Sequence, residues 1–177
     1  MTLSKVCHSR RFLVAHLRVC VWLFNYLDDE FMKLSTILKL MWIWPPFLGA
    51  GISVKNFSPD FTSLEVQMKM RFWNKNYVGT HFGGSLYSMT DPFYMLMLLH
   101  LLGKKYIVWD KSSSIRYKIP AKGTVYAKFS LSAEQIERIR VEADKEIKIE
   151  PEFTLQITDK EGNVVAEVKK VLHISKK

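Results

Sequence analysis

The residues best suited to chemistry stand together between His81 and Asp91, in the sequence His-Phe-Gly-Gly-Ser-Leu-Tyr-Ser-Met-Thr-Asp. Gly83 and Gly84 allow a ligand to approach the backbone closely. If a helix begins there, its free N–H groups stabilise a carbonyl oxygen that gains negative charge, and one such donor typically lowers a barrier by about 3 kcal/mol. Asp91, two helical turns further along, offers a carboxylate. The stretch is therefore suited to hydrolysis at an activated carbonyl, such as that of a thioester.

Asp91 has two interpretations. The residues around it are mostly apolar, and burial raises the pKa of a carboxyl from about 4 toward neutrality, which makes it a better general base. Asp91-Pro92 is also the order of a helix N-cap followed by proline at the first helical position. Asp91 is therefore either a catalytic group or the cap of a restarted helix.

The neighbouring side chains are open to structural interpretations as well. Ser85 and Ser88 can hydrogen-bond a substrate or water, or bond back to a helix carbonyl. His81 and His100 are by default surface or core histidines. The methionine and aromatic side chains of residues 86–97 pack in a core or line an acyl tunnel, because methionine surfaces are adaptable.

Residues 85–102 form the element that positions these groups, since they are apolar almost all round and are followed by Gly103. A helix here is roughly 27 Å long, and a helix that is apolar on every side is buried or lies in a membrane. Asp91, His100 and the strand patterns on both sides favour burial inside a sheet.

Strand patterns, in which apolar and polar residues alternate, dominate the rest of the chain. They cover residues 52–57, 64–72, 106–109, 114–119, 124–131, 147–158 and 164–174. A capping box at Ser132 and Gln135 opens a polar surface helix, and an amphipathic helix over 34–44 ends at Pro45-Pro46. One apolar helix and one sheet with an apolar face predict an α+β domain whose sheet curls around the helix.

That order of elements, with the local sequence, is similar to the hotdog-fold superfamily over about residues 45–174. The likeness is greatest to its thioesterase-like, partly uncharacterised branch, which is related to the phenylacetyl-CoA-type thioesterases. The family pattern has an Asn in the loop before the central helix, His-Gly-Gly at the helix start, and an Asp nine residues after that His. Asn76, Gly83, Gly84 and Asp91 match this pattern.

One position departs from the family pattern. Phe82 stands where the family has its His, and a His appears one place earlier, at His81. A role that needs an imidazole at the helix start therefore depends on His81 with a shifted geometry. Further along, residues 115–121 resemble the family's strand before its Pro-Ala turn.

The resemblance implies a hotdog fold, with a curled antiparallel sheet wrapped around a long central helix, in a homodimer or a dimer of dimers. In the resembled enzymes the two central helices lie side by side, so that the glycine amide of one subunit faces the carboxylate of the other. The implied reaction is acyl-thioester hydrolysis with Asp91 as general base or nucleophile and Gly84 as oxyanion donor. The residues expected to orient water or the carbonyl are Asn76 and His81, and the expected substrate contacts are Gly83, Ser85, Ser88 and Phe82.

The expected partner is acyl-CoA or an acyl-carrier thioester. Coenzyme A enters only as part of the substrate, so no separate cofactor and no metal is expected. Two other functions on the same fold stay open. Non-catalytic acyl-CoA or fatty-acyl binding is favoured by Phe82 in the histidine position, whereas a hydratase or dehydratase needs His81 and Asp91 in one cavity.

The composition fits one domain with an appendage, in a chain of 177 residues that is 48% hydrophobic and 24% charged. The formal net charge of +9 attracts anions such as the phosphates of coenzyme A or anionic lipid. No Lys/Arg run or Cys/His finger spacing points to nucleic acid. Cys7 and Cys20 make neither a disulfide framework nor a metal cluster, so a reduced cytoplasmic setting is expected.

Residues 1–33 are predicted to be an extension that precedes a domain over residues 34–177. The apolar run of residues 12–27 follows two arginines like a signal peptide, but a His and an Arg interrupt it and no small-residue cleavage site follows. It is also shorter than the roughly 20 residues of a membrane span. The extension is an amphipathic helix, a surface anchor or the result of a start site assigned too early. A membrane-associated assembly protein, attached through residues 1–44, is a further alternative.

Overall fold

The computed structural model describes residues 33–177, and the predictions for residues 1–32 lie outside the described residues. Helix α1 spans Leu34–Leu40, a 3₁₀ turn spans Met41–Ile43, and helix α2 spans Pro45–Ala50. The two prolines end the first helical segment as predicted, but they also begin α2, which the sequence analysis does not predict. At the first positions of a helix the missing N–H groups have no internal partner to lose, so proline is tolerated there. The stretch from Lys39 to Lys177 forms one compact unit.

A seven-stranded antiparallel sheet follows, in the spatial order β1-β2-β4-β6-β7-β3 with the short β5 paired to β7. Its strands are β1 Ile52–Phe57, β2 Ser63–Lys69, β3 Tyr106–Tyr117, β4 Thr124–Ser130, β5 Lys148–Ile149, β6 Glu152–Asp159 and β7 Val164–Lys176. The strand patterns over 106–109 and 114–119 belong to one strand, β3, which carries an irregularity between Asp110 and Ser112 where it pairs with β7. The pattern over 147–158 is divided between β5 and β6 at Pro151, which has no N–H for a ladder.

The central helix is interrupted, where a continuous helix over 85–102 is predicted. Helix α3 spans Gly83–Ser88 and helix α4 spans Phe93–Leu102. Pro92 has no N–H to donate to the Ser88 carbonyl, which accepts a bond from the N–H of Asp91 at 3.1 Å instead. The backbone therefore leaves the helix just where Asp91 stands.

The sheet curls around α4 and buries most of its length. The Phe93 ring lies 5.2 Å from that of Phe129 in β4, and the Tyr94 ring stacks at 4.5 Å on that of Phe153 in β6, measured between centroids. Each large apolar side chain that is fully buried contributes about 1.5–3 kcal/mol. The predicted α+β architecture, an antiparallel sheet curled around a central helix, is confirmed.

Helix α5, Ala133–Lys145, follows the predicted capping box. Ser132 Oγ accepts a bond from the N–H of Gln135 at 3.1 Å, and the Gln135 side chain accepts one from the N–H of Ser132 at 2.9 Å. The helix is joined to the end of α4 by Arg140, which donates to the Leu101 carbonyl at 3.1 Å. The predicted capping box is confirmed. No helix within residues 33–177 is long and apolar enough to cross a membrane.

Candidate functional site

A groove of about 600 Å³ lies at the start of α3. Its walls come from α2, from the loop after β2 and from the first two turns of α3. The predicted site residues that line it are Asn76, Phe82, Gly84, Ser85 and Ser88. The other lining residues are Pro45, Pro46, Gly49, Ala50, Trp73, Asn74 and Lys75. The fold therefore brings most of the predicted site together at the head of the helix, with His81, Gly83 and Asp91 outside the lining.

The two glycines at the helix start are closely packed by aromatic side chains, which leave no room for a Cβ atom. A Cβ atom on Gly83 would lie 2.8 Å from the hydroxyl oxygen of Tyr117, and one on Gly84 would lie 2.5 Å from the ring of Phe82. Within residues 33–177, no carbonyl accepts a hydrogen bond from the N–H of Gly83 or Gly84, because the first turn of a helix has no internal partners for these groups. Gly84 lines the groove, so its N–H, which has no carbonyl partner among residues 33–177, is the candidate donor to a ligand oxygen.

The two serines of α3 differ in the hydrogen bonds of their hydroxyl groups. Ser88 Oγ donates back to the Gly84 carbonyl at 2.9 Å, as the structural interpretation expects. Ser85 lines the groove one residue after Gly84. Ser85 therefore stays a predicted substrate contact, while Ser88 supports the helix turn.

The side chain of Asn76 holds the loop that leads into α3. Its Oδ1 accepts from the N–H groups of Val78 at 3.1 Å and Thr80 at 2.9 Å, and its Nδ2 donates to Thr80 Oγ1 at 2.8 Å and to the His81 carbonyl at 3.2 Å. Two donors and two acceptor lone pairs are the full capacity of an amide. The amide thus shapes one wall of the groove and has no free position for orienting water.

Replacing Asn76 with Ala is expected to lower the free energy of unfolding by about 1–3 kcal/mol, because several partners lose their hydrogen bonds at once. Urea unfolding measures the change. Asn56→Ala is the matched control, since the Asn56 amide makes one exposed contact, with Glu65 at 3.3 Å. Equal stability of the two variants would contradict the clamping role.

The His81 side chain stabilises the fold and does not line the groove. The residue is 3% exposed, its Nε2 lies 2.8 Å from the Gly123 carbonyl, and its N–H donates to the Ala121 carbonyl at 2.9 Å. Burial lowers the pKa of the imidazole, against the opposing effect of the bond to Gly123. His81 therefore fastens the start of α3 to the turn between β3 and β4 as a neutral ring.

Asp91 pairs with a buried lysine on β7. Lys170 Nζ lies 2.9 Å from Asp91 Oδ1, 3.4 Å from the Thr90 carbonyl and 3.0 Å from Asp110 Oδ1 of β3. The alternative that Asp91 caps the next helix is wrong, because the N-cap of α4 is Pro92 and no side-chain bond caps it. The acid side chain instead crosses to the sheet.

The predicted rise in the pKa of Asp91 is wrong. Burial alone would raise it, but hydrogen bonding with Asp110 and the charge and hydrogen bond of Lys170 hold the pKa below its usual value. The rise occurs at Asp110. Burial and the bond with Asp91 raise the pKa of Asp110 to about 6, against the opposing charge of Lys170.

Within residues 33–177, no group of three or more His, Cys, Asp or Glu side chains is placed to hold a metal ion.

Sequence comparison assigns the family. The profile of a domain of unknown function, DUF4442, matches residues 34–174, which is most of the chain. The chain belongs to the DUF4442 family. No curated protein is significantly similar to it in sequence.

Solved structures show the fold of this DUF4442 domain. A protein of unknown function from Pseudomonas aeruginosa, described as a probable thioesterase, is 22% identical, with 82% of this chain and 97% of that chain covered and a TM-score of 0.74. A protein of unknown function from Chlorobaculum tepidum is 16% identical, with 81% of this chain and 95% of that chain covered and a TM-score of 0.66. A thioesterase from Haemophilus influenzae is 14% identical, with 83% of this chain and 93% of that chain covered and a TM-score of 0.60. The DUF4442 domain has the hotdog fold, and the predicted resemblance is confirmed at that level.

Asp110 and Lys170 are functional candidates that were not predicted, although the burial parity of their strands contains a signal for both. Val168, Leu172 and Ile174 share one face of β7 and are fully buried, and Lys170 falls on the same parity. Asp110 likewise follows the buried Tyr106 and Val108 at intervals of two. A charged residue on the buried face of a strand requires a partner. The rule indicates that each of these charged residues has an oppositely charged partner, but it does not identify that partner.

Exposed apolar side chains occur in the segment that leads from β2 into α3. They are Phe72, Trp73, Tyr77, Val78 and Phe82, each more than half exposed, and we call them the apolar rim. Two of them, Trp73 and Phe82, line the groove, and the Phe72 ring contacts that of Trp73 at 4.8 Å between centroids. Exposed apolar surface can mark a place where a ligand or another protein binds.

Proposed function

We propose that the protein hydrolyses acyl thioesters, with acyl-CoA or an acyl-carrier thioester as substrate. The observation that carries the proposal is Gly84 at the head of the central helix, which lines a groove with largely apolar walls and whose N–H has no carbonyl partner within residues 33–177. Hotdog-fold relatives that are described as thioesterases support the same chemistry. The apolar rim suits an acyl chain, and the net charge of +9 suits a phosphorylated thiol such as coenzyme A.

In the proposed reaction the thioester carbonyl oxygen accepts a hydrogen bond from the Gly84 N–H. Asp91 takes a proton from water while the water oxygen attacks the carbonyl carbon, and the carbonyl electrons form an oxyanion. The helix dipole and the amide stabilise that charge. The C–S bond then breaks, and the thiolate leaves and recovers the proton. Direct attack by the Asp91 carboxylate is the alternative route.

The proposed site needs two copies of the chain. Asp91 lies seven positions after Gly84 and beyond the end of α3, and it does not line the groove that Gly84 lines. The reacting groups must lie within about 3–3.5 Å of each other, so one chain does not bring both to one carbonyl. Among the strands of residues 33–177, β3 ends the sheet order with β7 as its single neighbour, and its 12-residue edge is the one that we propose pairs with another copy. A homodimer, alone or paired into a dimer of dimers, is therefore part of the proposal.

A panel of acyl-CoA thioesters of different chain lengths tests the activity, with release of free thiol as the measurement. The wild-type protein is expected to turn over at least one member with kcat in the ordinary range of about 1–10³ s⁻¹. Tight binding of acyl-CoA without turnover of any member would favour the second candidate, a non-catalytic acyl-thioester binding protein. That candidate is supported by the structural use of His81 and Asn76.

The hydratase or dehydratase alternative has no support from the geometry. It requires His81 and Asp91 to act together. His81 is bonded to the turn between β3 and β4, whereas Asp91 is bonded to Lys170 of β7. Neither residue lines the groove.

Replacing Gly84 with Pro is expected to lower kcat about 10²–10³-fold, because it removes one oxyanion donor. Pro46 occupies the same second position of α2, so the chain already tolerates proline there. Gly84→Ala is the matched control, since it keeps the N–H and adds only a methyl group, to which the exposed Phe82 ring must give way. Equal loss in the two variants would mean that the amide is not the active group.

Mixing the variants Gly84→Pro and Asp91→Asn tests whether the site spans two subunits. Each homodimer is expected to be inactive. A statistical mixture contains heterodimers with one intact site, so activity should return to about a quarter of the wild-type value. No recovery after verified subunit exchange would contradict the shared site.

A further inference from the structure

The cluster of Lys170, Asp91 and Asp110 contains two carboxyl groups beside a single ammonium group. The Lys170 side chain is 2% exposed, and a buried ammonium group needs compensation by an opposite charge. One carboxylate would neutralise it. A second carboxylate at 3.0 Å leaves a net negative charge in a largely buried place unless the two acids share a proton. The composition of the cluster therefore favours a site that takes up and releases one proton.

The two acids differ in their access to solvent. The Asp91 side chain is 48% exposed, whereas that of Asp110 is 22% exposed. Asp91 can therefore meet a substrate or water, and Asp110 lies behind it. Both are tied to the same ammonium group, which comes from the inner face of β7 and fixes their positions.

Charged groups meet Asp110 from two neighbouring elements. Asp91 comes from the segment between α3 and α4, and Lys170 comes from β7. On β3 itself, Lys111 bonds to an acid that follows β5. Helix α4 also packs against β3, but its His100 ring contacts a phenylalanine of the turn between β1 and β2. The protonation of Asp110 is thus coupled to Asp91 and Lys170.

We propose that Asp110 and Lys170 are positioning residues for the hydrolysis, in which Asp110 shares with Asp91 the proton that the attacking water loses and Lys170 holds both carboxyls in place. This inference rests on the proposed function. The water oxygen bonds to the thioester carbon as its proton passes to Asp91, which shares it with Asp110 beside the same Lys170 ammonium group. When the C–S bond breaks, that proton moves to the leaving sulfur.

The pair gives the site a stronger base than Asp91 alone. The pKa of Asp110 near 6 places proton uptake close to neutral pH, and a general base is most effective when its pKa lies near the working pH. Asp91 paired with Lys170 alone would have a depressed pKa and would be a weak base. With Asp110 present, Asp91 is ionised before the reaction, and the pair of carboxyls can still accept one proton close to neutral pH.

The pH dependence of kcat/KM tests the inference, because a purely structural role would leave its shape unchanged. The wild-type value is expected to rise with pH around a midpoint near 6. In Asp110→Asn the plateau should fall at least about 10-fold, and the midpoint should move to lower pH, because Lys170 lowers the pKa of the remaining Asp91 carboxyl. Asp110→Glu should restore part of the plateau and the higher midpoint, and Asp60→Asn, in an exposed turn, should match wild type. An unchanged profile in a folded Asp110→Asn variant would overturn the inference.

Carbon NMR of labelled aspartate carboxyls separates this inference from the proposed function. One carboxyl of the wild-type protein is expected to titrate near pH 6, and its midpoint should fall in Asp91→Asn because the shared proton is lost. A midpoint that is the same in both proteins would overturn the shared proton. If no thioester in the panel is hydrolysed, the proposed function fails, and the positioning roles fail with it even where the NMR coupling is seen.

Discussion

Replacing Asp91 with Asn is expected to lower kcat for thioester hydrolysis about 10²–10⁴-fold, which is the usual contribution of a general base. The substitution keeps the size of the side chain but removes the group that accepts the proton of water. KM should change little, because Asp91 does not line the groove. Steady-state kinetics on the best acyl-CoA of the panel measures both parameters.

Asp60→Asn is the control for this substitution. Asp60 lies in the turn between β1 and β2, where its carboxylate accepts bonds from Thr62 that an amide oxygen can also accept. It should retain wild-type kinetics. A folded Asp91→Asn variant with more than half of the wild-type kcat would remove Asp91 from the mechanism.

Replacing Lys170 with Met is expected to have the largest effect on stability. The change leaves the Asp91 and Asp110 carboxyls beside a buried apolar side chain without their cation. Removing one partner of a buried ion pair typically costs about 3–5 kcal/mol, and the upper part of that range is reduced because Asp91 is partly exposed. Thermal and urea unfolding at pH 7 measure the loss.

The pH dependence of this loss has a defined sign. Without the ammonium group both carboxyls have raised pKa values in the folded variant, and a group with a raised folded pKa stabilises the fold only at low pH. The destabilisation of Lys170→Met should therefore shrink as the pH falls from 7 to 5. A loss that grows over the same interval would contradict the cluster.

Two further variants make the Lys170 result specific. Lys169→Met removes the neighbouring lysine, which is exposed and pairs with Glu152 across the outer face of the sheet, so it should change stability by less than about 1 kcal/mol. Combining Lys170→Met with Asp110→Asn removes one of the two carboxyls that the first change leaves unpaired. The double variant should recover part of the stability, since neighbouring sites do not act additively.

The fold follows from local patterns in the sequence, because alternation and apolar periodicity depend on residues only a few places apart. The strand over 52–57 is observed with the predicted bounds, as Ile52–Phe57. The helix over 85–102 is predicted in the right place but without its break. Pro92 carries the information for that break, although sequence alone leaves open whether proline begins, kinks or ends a helix.

The site was only partly predictable, for a physical reason. The glycines at the helix head act through their own backbone, so Gly83 and Gly84 are visible locally. The electrostatics of Asp91 depend on Lys170, which lies 79 residues away along the chain, and on Asp110 of the edge strand. Burial alone predicts a raised pKa, whereas a cation at 2.9 Å reverses the direction. The roles of Asn76 and His81 likewise depend on bonds that only the folded loop reveals.

A crystal structure of the dimer with a thioether ketone analogue of the best acyl-CoA tests the proposed hydrolysis most directly. The expected result places the ketone oxygen within about 2.7–3.1 Å of the Gly84 nitrogen of one subunit. A water molecule in hydrogen-bond contact with Asp91 of the other subunit should lie within about 3–3.5 Å of the carbonyl carbon. A ketone bound away from both groups, or within reach of Gly84 but of neither Asp91, would contradict the proposed mechanism.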